Sequence, residues 1–325
     1  MIRYIIRRLI FSIPVLLVSS VLVFVVVRAT ANPTAALHSN PRVRAKDIAA
    51  VEHALGLDQS GYHQYTAWLS HFVRGDWGNS LIAQRSVGQD IREALANSAV
   101  LGLTGVGISL IIGVGIGILS ALRQYSIFDN LSTGAAFVGL SLPNFFFALL
   151  LQIFFGVYVV RWLHSSNPIF YTSGMSDPNL THFDLLDRIR HLALPAAVLA
   201  VQIIAVYSRL MRSSMLEVMT ADYIRTARAK GLTERRVVVR HGVRNALVPL
   251  ATQLGIDLGT IAGGLIITET IFQWPGMGAY FINAMQNGDY PQILPWMMVV
   301  VASVILFNLV VDVAYALLDP RIRYA

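Results

Sequence analysis

Long uncharged stretches alternate along the chain with shorter segments that carry its acidic and basic side chains. The uncharged runs cover residues 9–27, 99–122, 130–160, 192–208 and 291–311. A further apolar stretch, residues 246–268, is interrupted only by Asp257. About 20 apolar residues are needed to cross a hydrocarbon core of roughly 30 Å, and the fourth run has that length only if its helix continues past Arg209. The pattern predicts an all-α polytopic membrane protein with six transmembrane helices.

The distribution of basic residues predicts on which side of the membrane each connecting segment lies. Basic residues occur at positions 3, 7 and 8 before the first span, at nine positions within 209–244, and at positions 321 and 323 after the last span. Cytoplasmic segments carry an excess of Lys and Arg, so we expect both termini to be cytoplasmic. The net charge of +7 follows this pattern and does not indicate a nucleic-acid partner.

These assignments divide the chain into four parts. We expect a cytoplasmic tip with the first span (1–28), an external segment (29–97), a core (98–318) and a cytoplasmic tail (319–325). Within the core, spans are predicted at residues 98–122, 130–160, 192–215, 246–270 and 291–317, with a long cytoplasmic loop at 219–245. The external segment contains predicted short helices near residues 45–55 and 62–72. It is either a platform for a partner or a cap that packs on its own bundle.

Composition supports the membrane assignment and excludes several kinds of chemistry. Only 13% of the residues are charged, against about 25% in soluble domains. The chain has no cysteine, and its eight histidines show no metal-ligand spacing. It lacks the G-x-x-x-x-G-K-[ST] phosphate loop, so it is not itself an ATPase. We therefore predict no catalytic residue, no metal site and no enzyme activity. The first apolar run exceeds the usual signal-peptide core of about 7–15 residues, so we expect an uncleaved span.

Two of the predicted spans carry small residues every fourth position. These residues are Gly105, Ser109, Gly113, Gly117 and Ala121 in the second span, and Gly255, Gly259 and Gly263 in the fifth. Small residues at this spacing let helix backbones approach closely where lipid provides no hydrophobic drive for association. We predict tight helix packing along both stripes. A moving interface that opens and closes a pathway is compatible with the same pattern.

Several polar or helix-breaking residues inside the spans are candidates for a translocation pathway. Pro143, followed by Asn144, predicts a bend in the third span, because proline removes a backbone donor. Asp257 lies in the middle of the fifth span, with Gln253 and Thr260 on the same helical face. An ionised carboxylate at this depth is costly unless it is paired or faces water. Asp257 therefore either lines the pathway or forms a buried hydrogen bond to a neighbouring helix or to a partner subunit. Glu269 is expected to be a solvated charge at the outer boundary.

Residues 222–249, here called the basic segment, form a polar island between apolar spans and hold seven of the 25 Lys and Arg residues. We predict a helix over residues 222–230, ended by Gly231 in a left-handed conformation. Thr233 is placed to cap a second helix, with Glu234 in its first turn. Tyr223, Ala227 and Leu232 are predicted to form a small apolar knob flanked by Arg225, Arg228 and Lys230. A helix lying on the lipid surface is the alternative, but this apolar face is too small for it.

The basic segment resembles the cytoplasmic coupling loop of ATP-binding-cassette importer permeases. The matching residues are Arg225, Thr226, Ala227 and Gly231, followed by His241, Arg244, Asn245, Ala246 and Pro249. The family form is Glu-Ala-Ala-x-x-x-Gly, so Arg225 and Thr226 depart from it, as does the longer stretch from Gly231 to Pro249. These departures are similar to the dipeptide, oligopeptide and nickel permeases. Further similarities, in the same order along the chain, occur at residues 1–9, 55–58, 64–65, 75–76, 269–278, 289–291 and 318–321. The B-type dipeptide permease subunits are the most similar group.

The resemblance implies a type I importer permease fold with an external helical extension between spans 1 and 2. It also implies a heterodimer with a second permease in the bacterial cytoplasmic membrane, two ATPase subunits that bind ATP and Mg, and an external substrate-binding protein. This chain would bind no cofactor directly. Coupling to the ATPase is assigned to Tyr223, Arg225, Thr226, Ala227, Lys230 and Gly231. A loop facing the binding protein is assigned to Phe272, Gln273, Trp274, Pro275, Gly276, Met277, Asp289 and Tyr290.

The transported substrate and one rival mechanism stay open at this point. Dipeptides, longer peptides, nickel complexes and haem are all compatible with the resemblance, because the binding protein selects the substrate in such importers. The rival mechanism is a secondary transporter driven by an ion gradient, with Asp257 as the ion site. It predicts an inverted internal repeat, which is not visible in the sequence.

Overall fold

A computed structural model describes residues 2–30, 44, 46, 52–53, 56, 58–164, 167–180 and 182–318. The described residues are mainly helical and contain no β-strand, only an isolated bridge between Asn79 and Ser86. The predicted all-α fold class is therefore confirmed. The predicted tail, residues 319–325, and most of the predicted helix at 45–55 lie outside the described residues.

The helices are labelled in chain order. They are α1 (Ile2–Thr30), α2 (Gly61–Val73), α3 (Val87–Leu122), α4 (Ile127–Ser141), α5 (Asn144–Trp162), α6 (Leu185–Met219), α7 (Asp222–Ala229), α8 (Arg244–Ile261), α9 (Ile266–Ile271), α10 (Met277–Asn287) and α11 (Tyr290–Leu318). Two stretches are wound as π-helices, Phe154–Val159 within α5 and Val237–Val243 directly before α8. A short helical turn, Glu234–Arg236, leads into the second of these.

Five helices in the described part of the chain are long and apolar enough to cross a membrane. These segments are Ile6–Ala29, Val87–Leu122, Asn144–Trp162, Leu185–Met219 and Pro291–Val310. The second begins at Val87, inside the segment predicted to be external, and the fourth begins at Leu185 rather than at residue 192. Both helices therefore extend beyond the apolar run that predicted them. The chain is a multi-pass membrane protein.

The third predicted span, residues 130–160, is divided into two helices. Helix α4 ends at Ser141 and α5 begins at Asn144, with Pro143 in an extended conformation between them. Proline cannot donate to the preceding turn. At the break, the carbonyl of Leu142 accepts a hydrogen bond of 2.9 Å from the Gln202 side chain in α6. The predicted bend at Pro143 is a full break, stabilised by a neighbouring helix.

The fifth predicted span, residues 246–270, is also divided, so the prediction of one continuous helix is wrong. Helix α8 ends at Ile261, residues 262–265 are not helical, and α9 is short. Gly264 has a φ of +80°, and a Cβ atom there would collide with the backbone of Gly278. The close approach of these two backbone segments interrupts the helix. Apolarity alone did not reveal this contact.

The small-residue stripe of the second span packs against α6, as predicted. A Cβ atom on Gly113 would lie 2.8 Å from the Tyr207 Cβ, and one on Gly117 would lie 2.7 Å from the Ser208 carbonyl oxygen. Such distances leave no room for a side chain, so α3 and α6 are in backbone contact. The stripe in α8 packs less tightly, because a Cβ atom on Gly259 would meet Phe307 at 3.6 Å.

Helix α2 of the predicted external segment packs against α1 through aromatic side chains. Phe24 in α1 contacts Tyr65 and Trp68, with ring centroids 5.5 Å and 5.9 Å apart. The rings continue through Phe72 to Trp77, where two planes stack at 5.3 Å. For α2, these contacts support the interpretation of a cap that packs on its own bundle.

Candidate functional site

The basic segment forms two helices joined at a glycine. Helix α7 ends at Ala229, and Gly231 has a φ of +78°, so the predicted left-handed termination is confirmed. Thr233 occupies the N-cap position of the next turn, but its side chain makes no capping hydrogen bond. Instead, Arg228 donates two hydrogen bonds of 3.0 and 2.7 Å to the Glu234 carboxylate. These bonds lower the pKa of Glu234 and tie the two helices together.

Ala227 does not belong to an exposed knob, contrary to the prediction. Its side chain is 6% exposed and packs with Ile224 and Val237, both fully buried. Residues three apart share a helix face, and the face of Ile224 and Ala227 turns towards the chain's own core. The opposite face is open to solvent and carries Tyr223, Arg225, Thr226, Arg228 and Lys230. Gly231 is exposed as well, so of the six predicted coupling residues only Ala227 is inaccessible.

The basic segment is held firmly against the end of α6. Val238 in the π-helix and Ala246 in α8 pack with Met211 and Met215 of α6. A π-helical stretch inserts an extra residue per turn and is often found at functional positions. Sequence reasoning missed it, because its apolar residues also fit an ordinary helix. The packing makes α6, α7 and the start of α8 one connected unit.

An ion pair joins the same end of α6 to the beginning of α4. Arg212 donates bonds of 2.6 and 2.8 Å to the two oxygens of Asp129, which is 1% exposed. The Asp129 carboxylate also accepts a bond from the Tyr125 amide. Sequence reasoning missed this pair, because 83 residues separate its members. The only local signal is Ser126, three residues before Asp129, which caps the helix.

Glu269 is fully buried, so the prediction of a solvated boundary charge is wrong. One carboxylate oxygen accepts bonds from the Ser98 hydroxyl at 2.6 Å and the Leu265 amide at 3.1 Å. The other accepts bonds from the amides of Gly278 and Ala279, at 2.7 and 3.1 Å, in the first turn of α10. An acidic group at a helix N-terminus pairs with its free amides and its dipole. Glu269 thus connects α3, α9 and α10.

The loop predicted to face a binding protein is mostly internal. Phe272, Trp274, Gly276 and Met277 are buried, whereas Gln273 and Pro275 are exposed. Asn97 in α3 holds the loop with two hydrogen bonds of 2.9 Å. Its backbone carbonyl accepts from the Trp274 indole N–H, and its side-chain amide donates to the Pro275 carbonyl. Large aromatic residues here anchor the loop in the bundle, which the Gly- and Pro-rich sequence did not indicate. Only Gln273 and Pro275 are accessible in this conformation.

Asp289, another residue assigned to that loop, is buried and anchors a distant turn. Its carboxylate accepts hydrogen bonds from the Ser80 hydroxyl and from the Leu81 amide at 3.1 Å. The Ile82 amide and the Gln292 side chain donate two further bonds, of 3.4 and 2.7 Å. The contact joins the predicted external segment to the start of α11. The side chain of the neighbouring Tyr290 lies outside the described residues.

Replacing Asp289 with alanine is expected to release the turn that contains Leu81. The buried Ser80 hydroxyl and the Leu81 amide would both lose their acceptor, at a cost of about 1–3 kcal/mol for each unsatisfied group. We expect faster amide exchange at residues 80–83, measured by hydrogen–deuterium exchange. Asp177→Ala, in another loop, is the control. Unchanged exchange at residues 80–83 would contradict this role of Asp289.

The candidate pathway residues lie beside α6 at two points. Asp257 accepts a bond of 2.7 Å from the Tyr207 hydroxyl and one of 3.0 Å from the Gln253 amide. Thr260 is exposed, and its hydroxyl donates to the Asp257 carbonyl at 2.7 Å. Asp257 thus makes a hydrogen bond to a neighbouring helix. Its intermediate exposure leaves the pathway interpretation open.

The second place where candidate pathway residues lie beside α6 is the break at Pro143. Pro143 directly precedes α5 and Asn144 is its first residue, and the break is stabilised by Gln202, five positions before Tyr207 in α6. Sequence reasoning singled out neither Gln202 nor Tyr207. Each is a polar residue within an otherwise apolar span, and this pattern could have indicated both of them. Helix α6 therefore contacts both sets of candidate residues.

The fold and these sites define a class of protein: an α-helical, multi-pass membrane subunit with a rigidly attached, basic helix–glycine–helix segment. Residues 113–324 match the family described as binding-protein-dependent transport system inner membrane component. Residues 1–85 match the N-terminal part of such membrane components. The chain belongs to this family of importer permeases, whose fold is the type I permease fold.

Three relatives are similar over 99% or more of their lengths. The chain is 40% identical over 325 residues to the oligopeptide transport system permease protein AppB of Bacillus subtilis, with 100% of both chains covered. It is 40% identical over 330 residues to a putative peptide permease protein of Brucella suis, with 99% of both covered. It is 36% identical over 324 residues to the glutathione transport system permease protein GsiC of Escherichia coli, with 100% of both covered. The resemblance inferred from the motifs is confirmed.

Proposed function

We propose that this chain is one of two permease subunits of an ATP-driven importer of di- and oligopeptides. It forms the pathway with a second, homologous permease, and two ATPase subunits bind ATP and Mg on the cytoplasmic side. An extracytoplasmic binding protein delivers the peptide. The positive-inside pattern supports cytoplasmic termini in a bacterial cytoplasmic membrane. The peptide substrate is supported by the relatives, which are permeases for oligopeptides, peptides and glutathione.

One observation carries the coupling role: α7 presents a polar, basic face while its apolar face is locked to the bundle. Tyr223 is 45% exposed, and Arg225 and Lys230 are exposed beside it. Ile224 on the other face is fully buried. A helix that merely lay on lipid would expose its apolar face to the membrane. This arrangement suits docking into a groove of a soluble protein.

The internal contacts explain how movement of α7 would reach the pathway. The core formed by Ile224, Ala227 and Val237 makes α7 move with the π-helix. The ion pair between Arg212 and Asp129 transmits the displacement of α6 to α4, and the contact at Gly117 transmits it to α3. When the ATPase subunits close on ATP, a displaced α7 would shift several spans together. The pathway would then alternate between outward and inward openings.

Family membership argues against the rival mechanism of an ion-driven carrier. The matched family is defined by dependence on a binding protein, which the ion-driven hypothesis does not include. The open polar face of α7 also has a use only if a partner docks there. The hydrogen bonds of Asp257 to Tyr207 and Gln253 do not require an inorganic ion.

Replacing Arg225 with glutamate is expected to uncouple ATP hydrolysis from uptake. The variant reverses a charge on the open face of α7 without touching the buried face. Loss of close charge complementarity at an interface costs several kcal/mol, so we expect uptake to fall at least about tenfold. The assay is trialanine uptake into proteoliposomes that contain both permeases and both ATPase subunits, with the binding protein present.

Arg92→Glu makes the same charge change on an exposed position of α3 and is the matched control. It should leave uptake unchanged. Undiminished uptake by the Arg225 variant would count against the docking role of α7. Replacing Ala227 with tryptophan is not a clean alternative, because the new ring would have to enter the core beside Val237.

A further inference from the structure

The negatively charged carboxylate of Asp257 is oriented by two neutral groups, and no cationic side chain among the described residues balances its charge. The Tyr207 hydroxyl and the Gln253 amide each hold one carboxylate oxygen. Among the described residues, no Lys, Arg or His side chain forms an ion pair with it. Neither donor carries a charge. The carboxylate therefore has a fixed direction and lacks a counter-charge within the described part of the chain.

The position of Asp257 makes an unbalanced charge costly. It lies thirteen residues after Arg244, the first residue of α8, which at about 1.5 Å per residue corresponds to about 20 Å. Its partner Tyr207 is fully buried in the interior of α6. Carboxylates at membrane depth cost a few kcal/mol and almost always face a water-filled cavity or a partner charge. Asp257 is placed for one of these two situations.

The open face of α8 shows that this helix does not face lipid alone. Its exposed residues recur at helical spacing and mix polar and apolar side chains: Asn245, Pro249, Thr252, Ile256 and Thr260. The first half of α5 shows the contrasting pattern, because its exposed residues up to Ile153 are all apolar: Phe145, Phe146, Leu149, Leu150 and Ile153. The Asn245 amide and the Thr260 hydroxyl donate to the backbone carbonyls of His241 and Asp257, but the charged Asp257 carboxylate beside them is partly exposed, and hydrocarbon does not solvate such a group. The face beside Asp257 is therefore suited to water, substrate or a second subunit.

We propose that Asp257 receives the amino-terminal ammonium group of the peptide as it passes through the pathway. Every peptide with a free amino terminus carries this cation, whatever its side chains, so one carboxylate serves a broad range of peptides. The contact is a charge-assisted hydrogen bond from the ammonium to Asp257. Tyr207 and Gln253 are positioning residues that hold the carboxylate in one orientation. This assignment rests on the proposed function of peptide import.

The peptide ammonium is preferred to an inorganic cation on chemical grounds. A small metal ion is bound by several oxygen ligands, whereas Asp257 offers one carboxylate, already engaged by two donors. An ammonium group brings its own three donors and needs few acceptors from the protein at any moment in transit. A weak site of this kind also releases its ligand readily, which conduction through a pathway requires.

The test compares Asp257→Asn with Asp257→Glu in the complete importer. Asparagine keeps the shape and the acceptor for Tyr207 but removes the charge, whereas glutamate retains the charge. The probe is trialanine uptake into proteoliposomes at a saturating concentration of loaded binding protein. We expect Asp257→Asn to reduce the maximal uptake rate roughly tenfold, as loss of one hydrogen bond to a charged group does. Asp257→Glu should retain uptake within about threefold.

Two further measurements separate substrate contact from a structural role. Propionyl-alanyl-alanine has the shape of trialanine without the amino group, and its uptake should be equally slow with or without the Asp257 charge. Tyr207→Phe should reduce the uptake ratio of trialanine to this analogue, whereas a purely structural defect would lower both rates together. Glu93→Gln removes an exposed carboxylate from α3 and should change neither rate.

The outcomes are distinguishable. If the unmodified importer fails to accumulate trialanine with ATP and binding protein, the proposed function is wrong. If it does so and Asp257→Asn transports at the same rate, the assignment to Asp257 is overturned. If Asp257→Asn loses copurification with the second permease, the carboxylate pairs with a cation of that subunit, which also overturns the assignment.

Discussion

Replacing Glu269 with alanine is expected to destabilise the region around α10 strongly. Four donors would lose their acceptor: the hydroxyl of Ser98 and the amides of Leu265, Gly278 and Ala279. An unsatisfied buried donor costs about 1–3 kcal/mol. Because some donors can reach water after relaxation, we expect a loss of about 3–5 kcal/mol in the free energy of unfolding.

Glu269→Gln should rescue this defect only in part. The two oxygens each accept two bonds, so an amide nitrogen in place of either oxygen would face two donors. The measurements are thermal unfolding of the purified protein in detergent and hydrogen–deuterium exchange of the α10 amides. Glu93→Ala removes an exposed carboxylate in α3 and should change the stability by less than about 0.5 kcal/mol. Protected α10 amides and an unchanged melting temperature in Glu269→Ala would rule out the anchoring role.

The second large effect is expected from Gly117→Leu, at the contact between α3 and α6. Even the first added carbon would lie 2.6 Å from the Met211 Cβ and 2.7 Å from the Ser208 carbonyl oxygen. The neighbour includes backbone, which cannot rotate away, so the two helices must separate. Overpacking a buried contact costs about 1–3 kcal/mol and occasionally more. We expect the upper end of that range and a lower melting temperature.

Gly115→Leu is the matched control on the same helix. A Cβ atom on Gly115 would meet nothing within 4 Å, so leucine there should be tolerated. Equal melting temperatures for the two leucine variants would show that the contact at Gly117 does not hold α3 and α6 together. Peptide uptake should follow stability in this pair, because α6 connects the basic segment to the Tyr207–Asp257 contact.

The two predictions concern opposite ends of the same bundle. Glu269 fixes the end near Ser98, where α3, α9 and α10 meet, whereas Gly117 lies near Arg212 and the basic segment. A defect at Glu269 should impair the region around the loop 272–277. A defect at Gly117 should impair transmission from α7. The two variants therefore probe separate parts of the proposed transport cycle.

The local pattern of the sequence was sufficient for the fold class, the family and the ends of α7. Uncharged runs of bilayer length require helices, because backbone groups in hydrocarbon must be satisfied within the segment. Gly231 ended α7 as predicted, because glycine adopts a positive φ without strain. The order of short motifs identified the family, and the full-length relatives agree with it.

Contacts between distant residues were decided only by the tertiary structure. Glu269 is buried because Gly276 lets the backbone approach it closely, and α8 ends where Gly264 meets Gly278. Ala227 faces inward because Val237, ten residues later, completes a core with Ile224. The sequence places polar groups and glycines along one dimension, but burial and hydrogen bonding depend on which backbones approach each other in space. Because of this proximity, Glu269 and Asp289 are buried anchors rather than surface charges, and Ala227 belongs to the core rather than to the docking face.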